Sequence, residues 1–522
     1  MDARLQAVFE KTWRDTTRVL FGKELAGLEK YDEWLSGYLL PTASRKSRVS
    51  GREVILAKDA YLPSAKFISE DELKADREYA VSINDMKDMD SLVRALAEKA
   101  EYSGNRFLGN SSFVESSDVV LDSQYVSNST NIEQSSYIYK SYMMRRASKC
   151  VFGSGYTAAG EHLIRVVGGI NLHRCFESHV VTDSSDLYFS FNCEGVHEAL
   201  FSFGQKNRKY LIGNLQLPKD KYRRLKAKLL GEVVDKLESE GSYPSLYSLC
   251  PEKLPALLPK VSAKRPDVGM DMAPIEKGFA NTYSILFKRT PPSITKLEKW
   301  LARNTCDVEA VKTAFGSETS IAKDFGMLSE IPRKRAVTVF ESLELGKIAL
   351  DESGLGSVES IKRGLGQIAY FTSEYWSGEN RNIFYSPIVL HSTNIYKGFE
   401  ATYSENTSHT FMSLHSKFVY GCGRIIDSQF CMKCYDSVYL NRCFELDSCI
   451  KCSDSYFCHN CEGLQECMFC FNTKGKRHCI GNTQLSKGDY VKIRDLLVGQ
   501  MAGEIARTNS LGLNIYSIGA KT

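Results

Sequence analysis

The sequence predicts an α+β chain made by tandem duplication of one module. Each module carries a mixed α/β N-terminal part, a β-solenoid of nine-residue half-coils (18 residues per coil) and a C-terminal capping helix. Three observations predict this: a long internal match, a nine-residue cysteine period in the second half, and helical spacing of apolar residues on either side of it.

The internal match fixes the modules. Arg174 to Leu217 aligns without a gap with Arg442 to Leu485 at an offset of 268, and 21 of the 44 positions are identical. Weaker matches run through the rest of the chain. Trp34-Leu35 meets Trp300-Leu301, Ser129-Thr130-Asn131 meets Ser392-Thr393-Asn394, and LYSL at 246–249 meets IYSI at 515–518. The first module divides into a mixed part (1–104), a solenoid (105–217) and a capping helix (218–250). A proline-rich linker (251–270) leads to the second mixed part (271–382), a cysteine-rich solenoid (383–485) and a final capping helix and tail (486–522).

Helices are expected at 89–102, 358–371, 219–238 and 487–506, where apolar residues recur three and four apart. The solenoid period is read from Cys422: CGRIIDSQF, CMKCYDSVY, LNRCFELDS, CIKCSDSYF, CHNCEGLQE, CMFCFNTKG. Alternate nines match best, which suggests two unlike halves in an 18-residue coil. Stacked coils satisfy one another's backbone, and open ends need caps; the helix after the last coil is the expected cap.

Composition narrows the function classes. The chain has 522 residues, 43% apolar and 25% charged, and its 67 basic and 63 acidic residues leave a net charge of +4. Bulk charge therefore points to neither a nucleic-acid nor an acidic partner. The N-terminus lacks an apolar signal core and no apolar run could span a membrane, so a cytoplasmic protein is expected. Ser-His-Asp sets, HExxH and phosphate-cradling glycine loops are missing from the sequence, and His173, His197, His459 and His478 lie scattered in the repeats.

The cysteines are the chemical oddity: eleven of 16 lie between Cys422 and Cys479. Candidate metal ligands are the CxxC pairs Cys431/Cys434, Cys449/Cys452, Cys458/Cys461 and Cys467/Cys470, a spacing that suits zinc or an iron–sulfur cluster. An 18-residue coil would stack 431/434, 449/452 and 467/470 as sets of four thiols. The first module is an internal control. At Cys431, Cys434, Cys449, Cys452, Cys458, Cys467, Cys470 and Cys479 it has Leu163, Val166, Val181, Ser184, Ser190, Ala199, Ser202 and Leu211. Only Cys175 and Cys193 persist, so a buried thiol ladder without a cofactor is the preferred reading. The acidic row Asp427, Asp436 and Asp454 resembles the ladders of polysaccharide-cleaving β-helices, although Asp before Ser is also ordinary turn chemistry.

The segment NCEGLQECMFCFNTKGKRHCIGNTQLSKGDY (460–490) resembles the end of uncharacterised cysteine-rich, CxxC-repeat β-helix proteins of candidate-phyla bacteria and archaea. The resemblance covers about 60 to 100 residues of each module and implies a β-helix but no activity. It departs in the first module, which lacks most of the cysteines, and at the N-terminus, which lacks a CxxC ribbon.

The expectation is a non-enzymatic scaffold that binds a protein partner or self-assembles, with nucleic acid a remote partner. The alternatives are a metal-binding redox or carrier protein using the second module's CxxC ladder, and a β-helix enzyme acting on polysaccharide or nucleic acid.

Overall fold

Successive parallel strands in both halves pair at a spacing of twelve residues. Ser112 pairs with Gln124 and Gln124 with Ser136; Arg381 pairs with Thr393, and so on through Glu405, Lys417 and Gln429. Thirteen occurs at Phe107–Val120, Ser136–Lys149, Tyr142–Gly155 and Tyr375–Ile388. The computed structural model describes residues 2–74, 79–145, 148–157, 163–166, 174–265, 269–323 and 325–519; His173 lies outside them. Strands run from Phe107 to Gln216 and from Tyr375 to Gln484, the second ladder starting ahead of the expected boundary at 383. The longer helices are α1 (Ala3–Phe21), α2 (Met89–Lys99), α3 (Lys219–Glu240), α4 (Ala273–Phe287), α5 (Val339–Leu345), α6 (Val358–Ile368) and α7 (Lys487–Thr508). α3 and α7 cover their windows of helical spacing, while α2 and α6 end three residues short of theirs, with Tyr102 already in a strand.

The 18-residue coil of two nine-residue halves is therefore corrected to a rung of twelve. The backbone explains why. Through the cysteine-rich segment every third residue has positive φ, as at Lys433, Asp436, Tyr439, Arg442 and Glu445. Each such left-handed residue turns the chain, and four turns complete a rung. The residue after each turn faces inward: Cys431, Cys434, Ser437 and Leu440 form one rung, each at most 1% exposed. Four inward side chains per rung fill the interior, with Cys, Ser, Val, Ile and Leu among them. Nine residues are three sides of a rung rather than half a coil, so a nine-residue pattern steps around the interior by one side at each repeat.

A second apolar column faces outward and is covered by helices. In the first half it comprises Tyr139, Phe152, Ile164, Phe176, Tyr188, Leu200 and Ile212, all buried. Leu5, Phe9, Trp13 and Leu20 of α1 recur at helical spacing and meet it, with ring centroids 5.3 Å apart for Phe9–Tyr139 and Trp13–Phe152. In the second half Phe279 and Phe287 of α4 cover Tyr420 and Phe444 at 5.2 and 5.0 Å. Burying each such side chain contributes about 1.5–3 kcal/mol.

The last rungs are not closed by the terminal helices alone. Each ends in a short antiparallel return, Leu211 opposite Gln216 and Cys479 opposite Gln484. The opposite half then covers it: Leu350 N donates to Gly213 O and Val81 N to Gly481 O, both at 2.9 Å. The start of α6 reaches α3 through Val358 N to Glu232 Oε2 (2.8 Å), and the start of α2 reaches α7 through Met89 N to Gln500 Oε1 (3.0 Å). Each half thus lays its middle segment on the other half's ladder. The expected linker is also docked: Arg335 donates to Pro251 O and Lys253 O, and Ala263 N donates to Glu344 Oε2.

Candidate functional sites in the second ladder

The twelve-residue rung rearranges the cysteines. Eighteen residues are one and a half rungs, so Cys431/Cys434 and Cys467/Cys470 share one side while Cys449/Cys452 lies across the interior. The expected stack of four-thiol sets is not formed. Sulfurs instead follow one another at twelve-residue steps, as Cys467 does Cys479 in register. All eight candidate ligands are at most 3% exposed.

Each of the eight thiols donates to the carbonyl two residues before it. The distances are 3.2–3.5 Å: Cys431 to Gln429, Cys434 to Met432, Cys449 to Asp447, Cys452 to Ile450, Cys458 to Tyr456, Cys461 to His459, Cys467 to Gln465 and Cys470 to Met468. Cys449 also reaches Cys458 O, nine residues on, at 3.3 Å. In the first ladder Ser184 Oγ makes the same two bonds, to Thr182 O (2.8 Å) and Cys193 O (3.3 Å). Sulfur in one half does what a hydroxyl does in the other.

Burial pushes the Cys175, Cys193 and Cys458 thiols up to about 12. The neighbouring Cys449 sulfur draws the Cys452 thiol down from its ordinary value. Among the described residues, no group of three or more His, Cys, Asp or Glu side chains is arranged to hold a metal ion.

The acidic row also comes apart. Asp427, Asp436 and Asp454 differ by nine and eighteen residues, so they occupy different sides. Asp436 pairs with Lys58 (2.9 Å) and Arg424 (3.1 Å), and Asp454 pairs with Arg442 at 2.6 Å. The second and third pairings link residues twelve apart, so these acids tie rung to rung.

Sequence reasoning missed a buried polar junction on the outside of the second ladder. Lys433, Glu445, Asp447 and His459 are at most 2% exposed there. Lys433 Nζ donates to Trp300 O (2.8 Å) and Arg303 O (3.1 Å) and lies 4.0 Å from Glu445 Oε1. Glu445 Oε2 accepts from Ile515 N at 2.9 Å, while Oε1 has no hydrogen-bond partner. Burial pushes the Glu445 carboxyl up to about 7 and the Lys433 ammonium down to about 8.

Twelve residues after Asp447, His459 Nε2 accepts the Ser103 amide at 3.0 Å. A backbone N–H can only donate, so the proton of this neutral imidazole sits on Nδ1 and is given to Asp447 Oδ2 at 2.8 Å. Tyr516 Oη donates to Asp447 Oδ1 at 3.1 Å. The residues come from both halves of the chain, so the signal in the sequence was Asp447 and His459 at a twelve-residue step.

The first ladder holds Arg165, Glu177, His179 and Phe191 at the corresponding places. Arg165 pairs with Glu177 at 3.1 Å, and both His179 nitrogens lack partners. No protein-family model matches this chain, and no curated protein or solved structure matches it.

Proposed function

We propose that the chain is a non-enzymatic scaffold: a tandem duplication of one module whose two β-solenoids present flat, regularly spaced surfaces to a protein partner. The observation that carries this reading is a pair of aromatic ladders on the surface. Phe113, Tyr125 and Tyr137 stack at 4.7 and 4.9 Å with rings within 4° of parallel, and Phe113 is 62% exposed. His391, Tyr403 and His415 stack at 4.9 and 5.2 Å, with Tyr403 51% exposed. Rigid aromatic area of this kind costs little entropy to dock and is enriched in protein interfaces.

The duplication is supported by the reciprocal bonds at Gly213 and Gly481 and by ladders of one pitch. The acids Asp436 and Asp454 pair with arginines one rung away, which favours structure over turnover. No helix among the described residues is long and apolar enough to cross a membrane, and the eleven thiols of the second ladder, none of them in a disulfide, suit a reducing, cytoplasmic setting.

The test is native purification with cross-linking. The wild-type chain should be recovered in a defined assembly, and replacing Phe113, Tyr125 and Tyr137 with Ser should disperse that assembly without lowering the melting temperature. Recovery of a lone, monodisperse chain with a turnover activity sinks the proposal.

A further inference from the structure

His409 sits in a place that the first ladder fills differently. Three rungs before Phe444 the outward column reaches Ser408, and three before Phe176 it reaches Tyr139. The following residues, His409 and Lys140, therefore correspond. Lys140 is satisfied: its ammonium donates to Asp32 O (3.2 Å) and Ser36 Oγ (2.8 Å), with Asp32 Oδ2 at 3.4 Å. In the second half the acid at the matching place, Glu298, reaches one rung further back. It accepts from Tyr396 Oη (2.5 Å) and Lys397 Nζ (2.8 Å).

His409 is left 4% exposed, with Nδ1 2.6 Å from Ser408 Oγ and Nε2 without a partner. It lines an open cleft of about 920 Å³ between the ladder and the 298–310 segment. That volume is within the range of small-molecule sites. The charges around the cleft are not balanced. Glu298 is held as above, Asp307 pairs with Lys323 (2.7 Å) and Glu309 with Arg333 (2.8 Å). Lys299 and Arg303 also line the cleft and make no ion pair among the described residues. Arg303 donates only to neutral oxygens, Leu511 O and Ser510 Oγ. The Asn304 carboxamide also lines the cleft, beside the Tyr435 hydroxyl.

We propose that this cleft binds a small organic anion through a carboxylate or phosphate group, with Lys299 and Arg303 supplying charge and His409 Nε2 and Asn304 Nδ2 supplying hydrogen bonds. When the Ser408 hydroxyl donates to Nδ1, a neutral imidazole keeps its proton on Nε2, the buried nitrogen that has no partner. Burial pushes His409 down to about 4, which keeps it in that neutral form.

Calorimetric titration of the full chain with inorganic phosphate, and separately with malonate, at constant ionic strength tests the site. Saturable one-to-one binding of at least one anion is expected, and the arm that binds tells phosphate from carboxylate recognition. Lys299→Ala, an exposed change, and His409→Phe should each weaken it at least tenfold, while Lys228→Ala on α3 should not. Absence of saturable binding in both arms, or binding that Lys299→Ala leaves unchanged, overturns the proposal.

Discussion

The first and second ladders are built on the same rung with different chemistry. Where the first has Ser184, Ser190 and Ser202, the second has Cys452, Cys458 and Cys470, and each side chain donates to the carbonyl two residues before it. The inward places take either a small donor or an aliphatic group such as Leu440 or Val196, and where a donor stands it satisfies a turning carbonyl. At the junctions outside the ladders the halves differ more. Arg165–Glu177 is a close pair at 3.1 Å, whereas Lys433–Glu445 is looser at 4.0 Å and is joined by Asp447 and His459.

The largest expected effects lie in the shared helix-covered column. Phe176 and Phe444 occupy matching places, both fully buried, against Phe21 and Phe287. Phe176→Ala and Phe444→Ala should each cost about 3–5 kcal/mol in denaturant melts. Because each half's middle segment is folded on the other ladder, both changes should lower a single cooperative transition. Two separate transitions, or losses differing by more than about 2 kcal/mol, break the equivalence of the halves.

A smaller effect separates the junctions. The folded Glu445 carboxyl titrates near 7, above its ordinary value of 4.5, so between these pH values the folded chain holds a proton that the unfolded chain has lost. Stability from this group is present below about 4.5 and is lost as pH rises through about 7. Glu445→Gln should therefore gain less than wild type between pH 7.5 and 5.5, by about 1 kcal/mol, since a tenfold change in proton affinity is worth about 1.4 kcal/mol and Lys433 offsets part of it. Other buried acids, Glu177 and Glu400 among them, are present in both proteins and cancel. Urea melts at the two pH values measure it; equal gains exclude Glu445 as the source.

The helices and the internal match were legible because apolar spacing and near-identity survive in one dimension. The rung was not. The residues at positions one and four of each nine, mostly cysteine, are a pattern of inward residues, three sides long, and side-chain identity does not report how many sides close a rung. The recurring left-handed residues, such as Lys433, Asp436, Tyr439 and Arg442, have no common side-chain type that would mark a corner. The junction was equally hidden: Ser103 and His459 are 356 residues apart, and only the crossing of each half's middle segment brings them together. The His409 Nε2 without a partner became visible only beside Lys140, which shows how the same corner is satisfied when an acid is in reach.

The smallest expected effect per residue bears directly on the sulfur. Cys452, Cys458 and Cys470 can be given their first-ladder residues together, as Cys452→Ser, Cys458→Ser and Cys470→Ser. If each thiol acts only as a small donor to Ile450 O, Tyr456 O and Met468 O, the hydroxyls replace it at the same carbonyls. The cost is then the shorter bond and the lost polarizable contact, about 0.5–1 kcal/mol per site. A ligand set behaves otherwise. Three of eight thiolates removed would abolish the site, and a structural zinc is worth about 10 kcal/mol or more. Elemental analysis and an absorption spectrum of anaerobically purified protein, run beside melts of both forms, separate the cases. The ladder reading expects less than one metal per chain, no charge-transfer band, and a triple variant within about 3 kcal/mol of wild type. A stoichiometric metal that disappears in the variant together with most of its stability would make the second ladder a metal centre and the first its metal-free counterpart.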